Sequence, residues 1–201
     1  MDHPVLRTVQ SKKLSYIALL VWAVPLSLAL SLMLGLHFVP HKKEPLLGLG
    51  GSSEFEVHHF LSLKCQCSRN LVNHLLKRHS LSGVKETVHL VYPQEKFVHE
   101  LQLVGFIVEP IDEEDAVKKF NLQALPQLVV TRENRTLYQG GYGRDQQHSQ
   151  IYEDEKIIKD LFKNRAVGEF PIFGCANGHL RKKMLDILGV KYGPSEQTAK
   201  N

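Results

Sequence analysis

The chain has 201 residues, 43% of them hydrophobic and 23% charged, a globular balance that fits one domain of about 150 residues once an apolar block near the N-terminus is set aside. Its net charge of +4 comes from Lys and Arg spread along the whole length, with no basic run or interleaved aromatics, which excludes nucleic acid as an expected partner. Three cysteines are an odd number and too few for a disulfide-stapled scaffold, so their placement matters more than their count.

Residues 1–13 read as a polar tail. From Leu14 to Leu36 no charged residue occurs, a length that predicts a transmembrane helix over 14–38 across a hydrocarbon core of about 30 Å, kinked at Pro25. A cleaved signal peptide is the rival reading, but its apolar region is shorter and ends in a small-x-small site that is missing after Leu36. Arg7, Lys12 and Lys13 before the segment outnumber Lys42 and Lys43 after it, which orients the N-terminus inside and the following domain outside. The Gly, Ser and Pro content within 39–53 marks a linker.

Alternation in Glu54 to Phe60 predicts a strand, and Leu71, Val72, Leu75 and Leu76 repeat at helical spacing behind Ser68, a good N-cap residue. Cys65 and Cys67 therefore lie on a strand-to-helix turn. Thr87 to Tyr92 reads as a second strand, and the stretch from Glu95 to Gly105 as a helix. A short extended piece (FIVEPI), a helix over Glu113 to Phe120, a strand after Leu125-Pro126 and another ending at Gly140-Gly141 follow. The core closes with an amphipathic helix, Glu153 to Lys163. Residues 167–201 form an extension carrying Cys175 in a turn, then one more helix with Leu180, Met184, Leu185 and Leu188 on its apolar side.

This order of elements resembles the thioredoxin-like superfamily over residues 54–166, an α/β three-layer fold. The match is carried by the cysteines at the strand-to-helix turn, the Leu125-Pro126 step before a strand, Gly140-Gly141, and the final helix. The resemblance implies a cis Leu125-Pro126 bond with Pro126 against the thiols. It also implies that His59 stands where thioredoxins carry a buried, proton-moving Asp; the plainer reading of His59 is a core histidine hydrogen-bonded to a neighbour. The anchor is similar to that of tethered bacterial thioredoxin-like proteins of the cell envelope, which implies a single pass through the inner membrane and a periplasmic domain. The sequence Lys64-Cys65-Gln66-Cys67-Ser68 departs from the usual Trp-Cys-Gly-Pro-Cys: with Cys65 in the first-cysteine place, Ser68 occupies the second.

A thiol at a helix N-terminus is favoured as the anion, with Lys64 and Arg69 adding to the effect. The expected chemistry is cofactor-free disulfide exchange on the cysteines of a partner protein, with Cys65 as exposed nucleophile and Cys67 resolving. Two alternatives stand beside it. Cys65, Cys67, Cys175 and His179 compose a soft Cys₃His set suited to copper or zinc, and the domain is otherwise a non-catalytic interaction module. Cys175 also has the option of pairing with Cys67 in a long-range disulfide.

Overall fold

The computed structural model describes residues 4–35, 38–39, 54–133, 135–143, 151–178 and 182–183, and within the first helix the side chains of 16–31. Two compact units divide the chain, 1–36 and 37–201.

The first unit is helix α1, Pro4–Gly35, with Pro25 inside it. Among the described residues no helix is long and apolar enough to cross a membrane. The transmembrane helix expected at 14–38 is corrected accordingly. With it go the membrane tether, the single-pass inner-membrane and periplasmic placement, and the likeness to anchored envelope proteins.

In the second unit, strand β2 (Phe55–Ser62) alternates its side chains between two buried environments. It pairs in parallel with β3 (Lys85–Val91) and antiparallel with β6 (Gln127–Arg132). Outside these lie β4 (Ile107–Ile111) and β7 (Arg135–Gly140), giving the five-strand order β4-β3-β2-β6-β7. On one face, Val57, Leu61, Val88 and Leu128 meet Leu71, Val72 and Leu75 of α2 (Gln66–Arg78), Leu101 of α3 (Glu95–Leu103), and Ile157, Ile158 and Leu161 of α5 (Asp154–Phe162). On the other, Phe60, Val91 and Val129 pack against Ala116 of α4 (Glu113–Phe120), Leu122 and Leu125. A mixed five-stranded sheet with helices on both faces matches a thioredoxin-like three-layer fold.

Local sequence explains the helix ends. Asp112 caps α4 by accepting from the Glu114 amide at 2.8 Å; Glu113, Glu114 and Asp115 fill its first turn, and Lys118 and Lys119 its last. This charge order complements the helix dipole. In α2 the N-cap is Cys65 rather than the expected Ser68, because the turn after β2 closes early, the Cys65 amide donating to Ser62 O at 2.9 Å.

The extension is tied down by pairs too short to leave a periodic signal. Strand β1 (Phe38–Val39) runs antiparallel to β8 (Ile172–Phe173), and β5 (Ala124–Leu125) antiparallel to β9 (Cys175–Ala176). Asn177 bonds the carbonyls of Gln123 and Leu122 through its amide and side chain, both at 2.9 Å. Glu113 accepts from the Gly178 amide and the Lys182 ammonium, each at 2.8 Å, and from the Tyr92 hydroxyl. Phe170 is buried in the core. The helix expected around Leu180 to Leu188 lies outside the described residues except for 182–183.

Candidate thiol site

Cys65 stands at the junction of β2 and α2 as the N-cap of α2, with extended backbone, φ −95° and ψ 125°. The side chain is only 2% exposed, and its sulfur lies 3.9 Å from Leu125 O. The peptide that follows that carbonyl, Leu125-Pro126, is cis. Cys175 faces Leu125 directly across the β5–β9 pair, and the chain approaches so closely there that a Cβ on Gly174 would stand 1.9 Å from Leu125 O.

Cys175 and Cys67 are both neighbours of the Cys65 thiol. The side chains of Cys175 and then Cys67 hydrogen-bond to Cys65, and these bonds outweigh the upward push of burial; the Ser68 and Cys67 amides add to them, so the Cys65 thiol lies far below its ordinary range. The neutral thiol has a single long contact through which to donate, to Leu125 O, whereas the thiolate accepts from two S–H and two N–H groups. The arrangement favours the anion. None of the three cysteines is in a disulfide. The cations expected to help are turned elsewhere: Lys64 Nζ stands 3.9 Å over the Tyr92 ring, and Arg69 donates to Leu63 O and to Gln66. Ser68 is fully buried, and its hydroxyl has no hydrogen-bond partner.

His59 is 0% exposed and belongs to a buried polar chain on the α2 side of the sheet. Its Nε2 lies 2.9 Å from Glu86 Oε2, and its Nδ1 lies 3.0 Å from the Tyr142 hydroxyl, which donates to Gln127 O at 3.3 Å, one residue past Pro126. Glu86 also pairs with Arg78 at 2.6 Å; Arg78 Nε lies 2.9 Å from Asp154; Asp154 bonds His74 at 2.9 Å. Burial pushes the Glu86 carboxyl up, but His59 and Arg78 hold it at about 2. Asp154 is likewise held below the usual range, the His74 bond and the Arg78 charge overcoming burial. Nothing in the sequence pattern brings His74, Arg78, Glu86, Asp154 and Tyr142 together. The one available signal was Glu86, the only acidic member of the strand Lys85–Val91.

On the opposite face, His58 Nδ1 and His89 Nε2 stand 3.1 Å apart beneath Phe60 and Phe120. Burial lowers His58 to about 4, and burial with the His58 charge lowers His89 to about 3.

Several expectations are corrected by this geometry. Cys65 and Cys67 do not form a Cys-x-x-Cys redox pair, and Cys65 is buried instead of exposed, which withholds it from the disulfide of a partner protein. Neither the structure nor the comparisons below show such a partner. Among the described residues no group of three or more His, Cys, Asp or Glu side chains could hold a metal. His179 lies outside the described residues.

The class the architecture defines is thus thioredoxin-like by topology. No known family model matches the chain, and no curated protein sequence matches it. Among solved structures, an uncharacterized conserved protein from Geobacillus kaustophilus is similar at 16% identity and TM-score 0.47, covering 69% of this chain and 91% of its own. A hypothetical protein from Sinorhizobium meliloti 1021 is similar at 15% identity and TM-score 0.49, covering 69% and 92%.

Proposed function

We propose that this protein performs thiol redox chemistry on a small oxidant, a hydroperoxide, with Cys65 as the reacting thiolate and Cys175 as the thiol that closes a disulfide onto it. The observation that carries the reading is the convergence of Cys175 and Cys67 on a Cys65 sulfur that is almost completely buried. Thiolates, not thiols, are the nucleophiles, and a sulfur 2% exposed favours a small oxidant over a protein disulfide. The Cys65 thiolate attacks one peroxide oxygen, the O–O bond breaks, and the leaving alkoxide or hydroxide takes a proton, giving the alcohol or water and Cys65 sulfenic acid. Cys175 then attacks the sulfenic sulfur and expels water. Two thiols are oxidised and one peroxide is reduced.

In this reading His59 and Pro126 are positioning groups. His59 holds the Tyr142 hydroxyl, and that hydroxyl holds the carbonyl following Pro126, which steadies β5 and so the Cys175 strand opposite it. Tyr142→Phe removes only the hydroxyl; the expected result is slower disulfide closure with an unchanged rate of sulfenic acid formation, whereas a merely structural role moves neither rate.

The direct test treats the reduced full-length chain with one equivalent of hydrogen peroxide, counts thiols and maps the bridge by mass spectrometry. Loss of two thiols per chain with a Cys65–Cys175 bond, abolished by Cys65→Ser, is expected. Unchanged thiols, or a Cys65–Cys67 bond in place of Cys65–Cys175, would overturn the reading.

A further inference from the structure

A Cys65–Cys175 disulfide must be reduced before the site can turn over, and the two sulfurs are not equivalent. Cys65 is 2% exposed, sealed by Leu125 and the first turn of α2, while Cys175 is partly exposed on β9. An attacking thiolate has to reach a sulfur along the S–S axis, so access selects Cys175. The departing sulfur is then Cys65, which on leaving recovers the Cys67 thiol and the Ser68 and Cys67 amides as donors; a sulfur stabilised in that way leaves fastest. Backbone packs closely beside Cys175: a Cβ on Gly174 would stand 1.9 Å from Leu125 O, and Asn177 and Gly178 are hydrogen-bonded just beyond, which favours a small attacking thiol over a folded protein.

We propose that a low-molecular-weight thiol is the reductant of this site and that it enters at Cys175, with Cys65 as the leaving group. The inference rests on the thiol redox reading above. In the first step the small thiolate bonds to Cys175 Sγ, the S–S bond breaks, and the electron pair goes to Cys65, leaving a mixed disulfide on Cys175. In the second, another equivalent attacks the small-molecule sulfur of that mixed disulfide, releasing the Cys175 thiolate, which takes up a proton. Two equivalents of thiol are oxidised to their disulfide, and Cys65 and Cys175 are reduced.

The test uses the full chain oxidised with one equivalent of hydrogen peroxide. The bridge is mapped first; glutathione is then added as the probe thiol, the mixture is quenched in acid, remaining thiols are alkylated, and peptides are mapped again. The expected result is glutathione on the Cys175 peptide in about tenfold or greater excess over the Cys65 peptide, with Cys65 alkylated. If the first map lacks the Cys65–Cys175 bond, the redox reading falls and this inference with it. If the bond is present but glutathione sits on Cys65, or only a protein dithiol such as thioredoxin reduces it, the inference alone is overturned.

Discussion

Cys65 owes its character to two residues that sequence distance separates from one another, Cys67 two positions on and Cys175 far down the chain. Because Cys175 is the strongest of the influences lowering the Cys65 thiol, Cys175→Ala is expected to raise the Cys65 titration midpoint, and Cys67→Ala to raise it less. Pairwise comparison of thiolate absorbance against pH checks the order. At Gly174 the constraint is steric: a methyl group would meet Leu125 O at 1.9 Å. Gly174→Ala is expected to cost about 1–3 kcal/mol of stability and to slow closure of the Cys65–Cys175 bond, read by urea unfolding and by thiol mapping. The strand-to-helix turn carrying Cys65 was legible because an alternating run gives way to a helical one there. That Cys175 returns to the same point was not, since two-residue strands carry no periodicity and nothing in FGCANG specifies a register against Ala124 and Leu125.

At the scale of elements, the buried chain from His74 through Asp154, Arg78, Glu86 and His59 ties α2 and α5 to the central strands. Removing one charge strands its partner away from water, so Glu86→Gln is expected to destabilise the fold by about 3–5 kcal/mol in chemical denaturation. Acid acts on the same groups with a definite sign. Glu86, depressed to about 2, contributes stability that is present above the unfolded carboxylate value of about 4.3 and is lost as pH falls toward 2. His58 and His89, lowered to about 4 and about 3, bind protons more readily in the unfolded chain. Stability therefore declines as pH falls below about 6.5, the histidine loss continuing until pH reaches those folded values. The urea midpoint should drop between neutral pH and pH 4, and His58→Asn should flatten that drop; a flat wild-type profile would contradict the assignment. Strands β2, β3 and β6 and helices α2, α4 and α5 were readable from apolar spacing, as burial of one face demands a period. The ion pairs were not, because they join side chains of different elements, α2, α5, β2 and β3, that only the folded packing brings together.

For the molecule as a whole, the extension is part of the site. Its strands β8 and β9 lie against β1 and β5, and Glu113, Asn177 and Lys182 fasten it. Oxidation joining Cys65 to Cys175 would close a loop of more than half the chain, so the oxidised form should be more stable by about 2–4 kcal/mol, with slower amide exchange at Cys175, Ala176 and Asn177 than in the reduced form. An equal exchange rate in both forms would show that the bridge leaves the strap untouched. In the proposed chemistry Cys65 rests as an anion among donors, and the most direct measurement is the ultraviolet thiolate absorbance of the reduced chain, titrated from alkaline to acid pH and compared with Cys65→Ser. One thiolate per chain persisting well below neutral pH, and absent from the variant, is the predicted result. Loss of all thiolate absorbance with midpoints near the ordinary value of about 8.5 would contradict the account.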